Sequence, residues 1–135
     1  MTKQIFINLA VQDVNKSMEF YSQIGFVNNP QFSDDNGKCM QWSDTIYLML
    51  LSHDKFSQFI SKPLADTKSA VAGLFSLALS SAEEMNEMMQ KGLHAGGIEP
   101  VEMKDYGFMI QRSLEDFDGH TWELFYMELS KVPTE

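Results

Sequence analysis

Among the charged side chains of this chain, Glu123 is the one whose surroundings demand an explanation. It sits in Thr121-Trp-Glu-Leu-Phe-Tyr-Met127, a strand-like run directly after the tight-turn pair Asp118-Gly119. A carboxylate among large apolar side chains is costly unless it is hydrogen-bonded, paired with a cation or bound to a metal. Two kinds of chemistry would satisfy it: ligation of a divalent metal, or proton transfer as a base on a bound substrate. The structural alternative is a hydrogen bond from Asn8 or an ion pair with Arg112. His53 and His120 can offer nitrogens from loops, but neither has metal-ligand spacing to Glu123 on one strand face. Both therefore read as surface or turn residues. Cys39, the single cysteine, has no recognisable base near it in sequence and reads as a small structural residue beside a strand.

A sheet must position Glu123, and the chain carries the pattern for one twice. Ile5, Ile7, Leu9 and Val11 share one face of a first strand, with Phe6, Asn8 and Ala10 on the other. Asp13 is placed to cap a helix that carries Val14, Met18, Tyr21 and Ile24 at helical spacing and stops at Gly25. Strands are expected near Val27–Phe32, Cys39–Trp42 and Thr45–Leu51, with a turn at Asp34-Asp-Asn-Gly37 and a short helix over His53–Ile60. The plan then recurs about half the chain later. Leu74–Leu79 forms a strand, Ser81 and Glu84 fit a capping box, and Met85, Met88, Met89 and Leu93 line one side of a helix. The methionine stripe reads as helix-to-sheet packing. Strands near Ile98–Met103, Phe108–Leu114 and Thr121–Met127 follow, and Lys131–Glu135 reads as a loose tail. Trp122 is expected on the helix side and Asp118 in the turn. The class is α+β: one domain of two βαβββ units, about 1–62 and 71–130, joined by a linker at about 62–70.

Charge narrows the partners. With 10 Lys and Arg against 19 Asp and Glu, the net charge is −9 and no basic cluster stands out, which argues against nucleic acid and against an anionic membrane surface. No stretch approaches the roughly 20 apolar residues that span a bilayer, and the N-terminal residues lack the apolar run of a signal peptide. A lone cysteine fits a reducing compartment, so a cytoplasmic protein is expected.

Two motifs carry a resemblance over essentially the whole chain: Asn8-Leu-Ala-Val-Gln-Asp13 leading into Ser17-Met-Glu-Phe-Tyr-Ser-Gln-Ile-Gly-Phe26, and Asp116-Phe-Asp-Gly-His-Thr-Trp-Glu123. With the paired βαβββ plan, they resemble the vicinal oxygen chelate superfamily, which includes glyoxalase I, bleomycin-resistance proteins, fosfomycin-resistance enzymes and extradiol dioxygenases. The wording is similar to that of bacterial lactoylglutathione lyase-like proteins. The resemblance implies an open barrel-like cleft, a homodimer, and four inward side chains holding one divalent metal. Placed on this chain, those four positions fall on Phe6, about Leu48, about Leu74 and Glu123, so only Glu123 keeps a metal-competent side chain. Zinc or nickel chemistry needs about three or four ligands, so a metal cofactor is disfavoured.

Two functions follow. One is a lyase- or isomerase-type enzyme on a small oxygenated or thiol-conjugated substrate, with Glu123 as ligand or metal-free base. The other is a non-catalytic small-molecule binder of the bleomycin-resistance kind. In either case the expected cleft residues are Phe6, Asn8, Leu48, Leu74, Ser76, Tyr106, Arg112 and Phe125 around Glu123. Trp42, Tyr47 and Phe108 are further aromatics able to line it or to pack in the core.

Overall fold

Alternation, caps and chain breakers build the same five elements twice. In the computed structural model, which describes residues 2–133, β1 spans Ile5–Val11. Asp13 caps α1 (Val14–Gln23), its carboxylate oxygen accepting from the N–H groups of Asn15 and Lys16 at 3.1 Å each. Then come β2 (Val27–Asn29), β3 (Gly37–Gln41), β4 (Ile46–Ser52) and a short helix α2 (His53–Ser57). The second half gives β5 (Phe75–Leu79), α3 (Ala82–His94), β6 (Lys104–Asp105), β7 (Met109–Glu115) and β8 (Thr121–Met127). The chain divides between Ala70 and Val71 into two compact units. Their sheets have the same topology, β1-β4-β3-β2 and β5-β8-β7-β6, each with one parallel pair and two antiparallel pairs. The α+β class and the doubled βαβββ plan are thus present.

Each unit has its own core. In unit one, α1 contributes Val14, Phe20 and Tyr21, buried with Leu9, Val11, Met40, Leu48 and Leu50. Phe20 was not part of the expected stripe, whereas Met18 is only half-buried. In unit two, Met85, Met88 and Met89 of α3 are buried with Leu77, Leu79, Leu114, Trp122 and Leu124. This is the packing role expected of the methionines, and each such buried side chain contributes about 1.5–3 kcal/mol. Gly92 lets α3 approach β7 closely: a Cβ there would lie 2.5 Å from Leu114 Cδ2. Ser81 caps α3 by accepting from the N–H of Glu84 at 3.0 Å. The return half of the expected capping box goes one residue further back, to Ser80, whose N–H and hydroxyl both donate to the Glu84 carboxylate.

Two expected strands are cut short by proline. β2 ends at Asn29 because Pro30 starts a 3-10 turn over Pro30–Phe32, where its missing N–H costs nothing. The strand expected at Ile98–Met103 does not form. Ile98 makes one isolated bridge to Glu115, Pro100 has no N–H for a ladder, and the Val101 N–H is taken by Ser113 Oγ at 3.2 Å. Edge pairing resumes only at Lys104–Asp105. The helix expected over His53–Ile60 ends at Ser57. Leu129–Lys131 is a 3-10 turn, and Thr134 and Glu135 of the expected tail lie outside the described residues. Residues 61–74 contain neither helix nor strand.

Candidate functional site

The turn that delivers Glu123 is built by Asp116. Its Oδ1 accepts from the backbone N–H groups of Asp118 and His120, both at 2.9 Å, and its own N–H donates to the His120 carbonyl at 3.0 Å. Gly119 supplies the positive φ, +87°, that closes the turn. His120 and Asp118 are both buried here, so each belongs to the turn's interior. β8 leaves this turn with Trp122 and Leu124 on the helix side and Glu123 and Phe125 on the other.

Register then decides what meets Glu123. Across the parallel pair it lies opposite Ser76 of β5, and across the antiparallel pair opposite Ser113 of β7. Ser76 Oγ donates to Glu123 Oε1 at 3.1 Å, and Gln111 Nε2 donates to Oε2 at 3.0 Å. Each carboxylate oxygen therefore accepts from one neutral donor. Glu123 is half-buried and Ser76 is exposed, so the network lies at the surface of the sheet rather than inside a core. The partners proposed from sequence are not the ones found. The Asn8 carboxamide donates to the Phe6 carbonyl at 3.2 Å.

Arg112 requires a correction. It pairs in register with Leu124, on the helix side of the sheet, and so cannot share a site with Glu123. Its Nε and Nη2 hold both oxygens of Glu99, at 2.9 and 2.8 Å, while Nη1 donates to Asn86 Oδ1 at 3.0 Å. That hydrogen-bonded pairing, partly opposed by burial and assisted by charge, holds the Glu99 carboxyl below the usual glutamate range and raises the Arg112 guanidinium. A shallow groove of about 450 Å³ runs past this pair between Glu99, Met103 and Arg112, but the guanidinium is already committed to Glu99.

Leu48 requires the second correction. It is fully buried and lies opposite Met40 in the unit-one core. The other face of β4 carries Tyr47, Met49 and Leu51, in register with Phe6, Asn8 and Ala10 of β1. Phe6 is about half exposed, at 49%, and its ring stacks on that of Tyr47 with centroids 4.4 Å apart. Trp42 packs on Phe26 at 5.0 Å. In unit two, Leu74 precedes β5 and Tyr106 sits between β6 and β7. Both are exposed, so neither shields Glu123 as a buried wall would. Phe125 does share the face of Glu123, opposite Ala78 and Gln111. His53 is exposed at the start of α2. Burial raises the Cys39 thiol above its usual range, as expected of an inert structural cysteine.

Gln111 and Met49 are not among the residues the sequence pattern singles out. Gln111 was legible in principle: in β7 it alternates with Arg112, and the Glu123 face takes the odd-numbered residues of that strand. Met49 occupies in unit one the place of Glu123 in unit two, because Asn8 and Cys39 pair with Met49 as Ser76 and Ser113 pair with Glu123. Among the described residues, no group of three or more His, Cys, Asp and Glu side chains is placed to hold a metal ion.

No protein-family model matches the sequence, and no curated protein matches it either. Solved structures do. A hypothetical protein from S. aureus is 26% identical over 93% of this chain and 95% of its own, with a TM-score of 0.78. A glyoxalase/bleomycin resistance protein/dioxygenase family enzyme from Burkholderia phytofirmans is 13% identical over 93% and 99%, with a TM-score of 0.76. A genomically encoded fosfomycin resistance protein from Listeria monocytogenes is 19% identical over 97% and 98%, with a TM-score of 0.71.

Proposed function

We propose that this chain, which has the glyoxalase/bleomycin-resistance/dioxygenase fold of the vicinal oxygen chelate superfamily, binds a small molecule on the Glu123 face of unit two without a metal. The observation that carries the reading is the company Glu123 keeps. A metal of the kind this fold implies takes three or four nitrogen, oxygen or sulfur donors, usually imidazole or carboxylate. Glu123 is instead surrounded by a hydroxyl and a carboxamide, both donating to it. Its counterpart in unit one, Met49, is a thioether opposite a carboxamide. This donor set does not fit zinc or nickel, so no step is routed through one.

The arrangement suits recognition. Ser76 and Gln111 each occupy one lone pair of the Glu123 carboxylate, which fixes it and leaves further lone pairs for an N–H or O–H of a ligand. Phe125 on the same face offers an apolar surface beside it. The net charge of −9 favours a cationic or neutral ligand. Small molecules figure in the names of the structural neighbours, fosfomycin and bleomycin among them, which supports a partner of that size. A second reading, metal-free proton transfer by Glu123 in a lyase or isomerase, draws on the same fixed carboxylate.

A melting-temperature screen of amphipathic amines and alcohols in the presence of EDTA tests the proposal. Compounds that stabilise wild type in chelator, and stabilise Glu123→Gln markedly less, are the expected result. Stabilisation that appears only when zinc, nickel or manganese is added overturns it.

A further inference from the structure

Unit one has an apolar pocket where β4 is followed by a helix that folds back over its own sheet. α2 packs on β1 and β4, and the chain just beyond it brings Phe59 and Ile60 to the same place. Together with Phe56, Leu51 and Asn8, they line a half-open hollow of about 380 Å³. Leu51 is buried, whereas Phe59 is 68% exposed and Ile60 37% exposed at the rim. The Lys55 ammonium lies 5.5 Å from the Phe59 ring centroid, a cation–π contact that holds this ring in place.

We propose that this pocket is a binding site for a neutral aromatic molecule that carries one hydrogen-bond donor. The volume falls at the lower end of the range for small-molecule sites, about 300–1,000 Å³, which suits two or three rings rather than a large antibiotic. No charged side chain lines it, so an ionic ligand would lose its hydration without a counter-charge. Two phenylalanine rings set the preference for an aromatic body. The single polar group is the Asn8 carboxamide. Its Nδ2 donates to the Phe6 carbonyl, which leaves Oδ1 to accept from the ligand. The site lies wholly within unit one and is independent of the Glu123 reading.

N-phenyl-1-naphthylamine is a fitting probe, being neutral, aromatic and equipped with one N–H, and its fluorescence rises in apolar surroundings. Titration into the full chain is expected to show saturable binding of one probe per chain. Replacing both rim residues, Phe59→Ala with Ile60→Ala, is expected to weaken binding at least about tenfold. Both side chains are exposed, so their loss leaves the core intact. Asn8→Ala is expected to weaken binding by about threefold to tenfold, as the loss of one hydrogen bond would. Absence of saturable binding, or equal affinity in the rim double variant, overturns the pocket. Unchanged affinity in Asn8→Ala overturns the donor-bearing ligand class.

Discussion

The two halves of this molecule share one topology, and the matched position at the middle of the fourth strand shows how differently they use it. In unit one the fourth strand presents Met49 between Asn8 and Cys39. In unit two it presents Glu123 between Ser76 and Ser113, with Gln111 reaching in from the side. The scaffold therefore does not dictate a polar site. The same register supports a soft, mostly apolar patch flanked by α2 in one unit and a hydrogen-bonded carboxylate at the sheet surface in the other. The carboxylate is tolerated because it is half-buried and both of its oxygens are satisfied by neutral donors.

The largest effect is expected from the face of β4 that does not differ in kind between the units. Leu48→Ala removes a fully buried side chain and is expected to cost about 2–5 kcal/mol in urea unfolding. A cost below about 1 kcal/mol would place Leu48 back on the exposed face. Exchanging the matched residues sharpens the contrast. Met49→Glu places a carboxylate beside buried Cys39 and opposite Asn8, whose carboxamide already donates to the Phe6 carbonyl, and is expected to cost about 1–3 kcal/mol. Glu123→Met removes an acceptor from exposed or half-exposed donors and is expected to stay within about 0.5 kcal/mol. Equal costs for the two exchanges would mean that the units do not differ as described.

The smallest effect concerns the ion pair on the helix side of unit two. Arg112 lowers the pKa of Glu99 in the folded chain, so the pair's contribution is present above the unfolded glutamate value of about 4.3 and is lost as pH falls through the lower folded value. Wild type should therefore lose its advantage over Glu99→Gln on acidification below about pH 4.3. The advantage at neutral pH should be about 1 kcal/mol, the upper range for a partly exposed pair with two-point geometry. An advantage that is the same at pH 7 and at pH 3 would contradict the pairing.

Much of this arrangement was legible in the sequence, and what was not has physical causes. Ile5–Val11 alternates cleanly, so its faces could be read directly. Ile46-Tyr-Leu-Met-Leu-Leu51 is apolar throughout, so pattern alone gives no phase, and only the pairing of Leu48 with Met40 and Ile7 puts it on the core face. Charge alone pairs Arg112 with Glu123, but its partner, Glu99, lies in a stretch that reads as a strand and is broken by Pro100. Glu123 itself stood out because it is out of character with its strand. Ser76, its donor, did not, because nothing local marks a serine 47 residues away as the neighbour of a carboxylate.

The most direct test of the account is metal content by mass spectrometry on untagged protein purified without chelator, with wild type beside Glu123→Ala, before and after incubation with nickel, zinc and manganese. The account predicts no stoichiometric metal in either protein and the same trace content in both. About one metal per chain in wild type, lost in Glu123→Ala, would contradict it and make Glu123 a ligand rather than a hydrogen-bonded anchor.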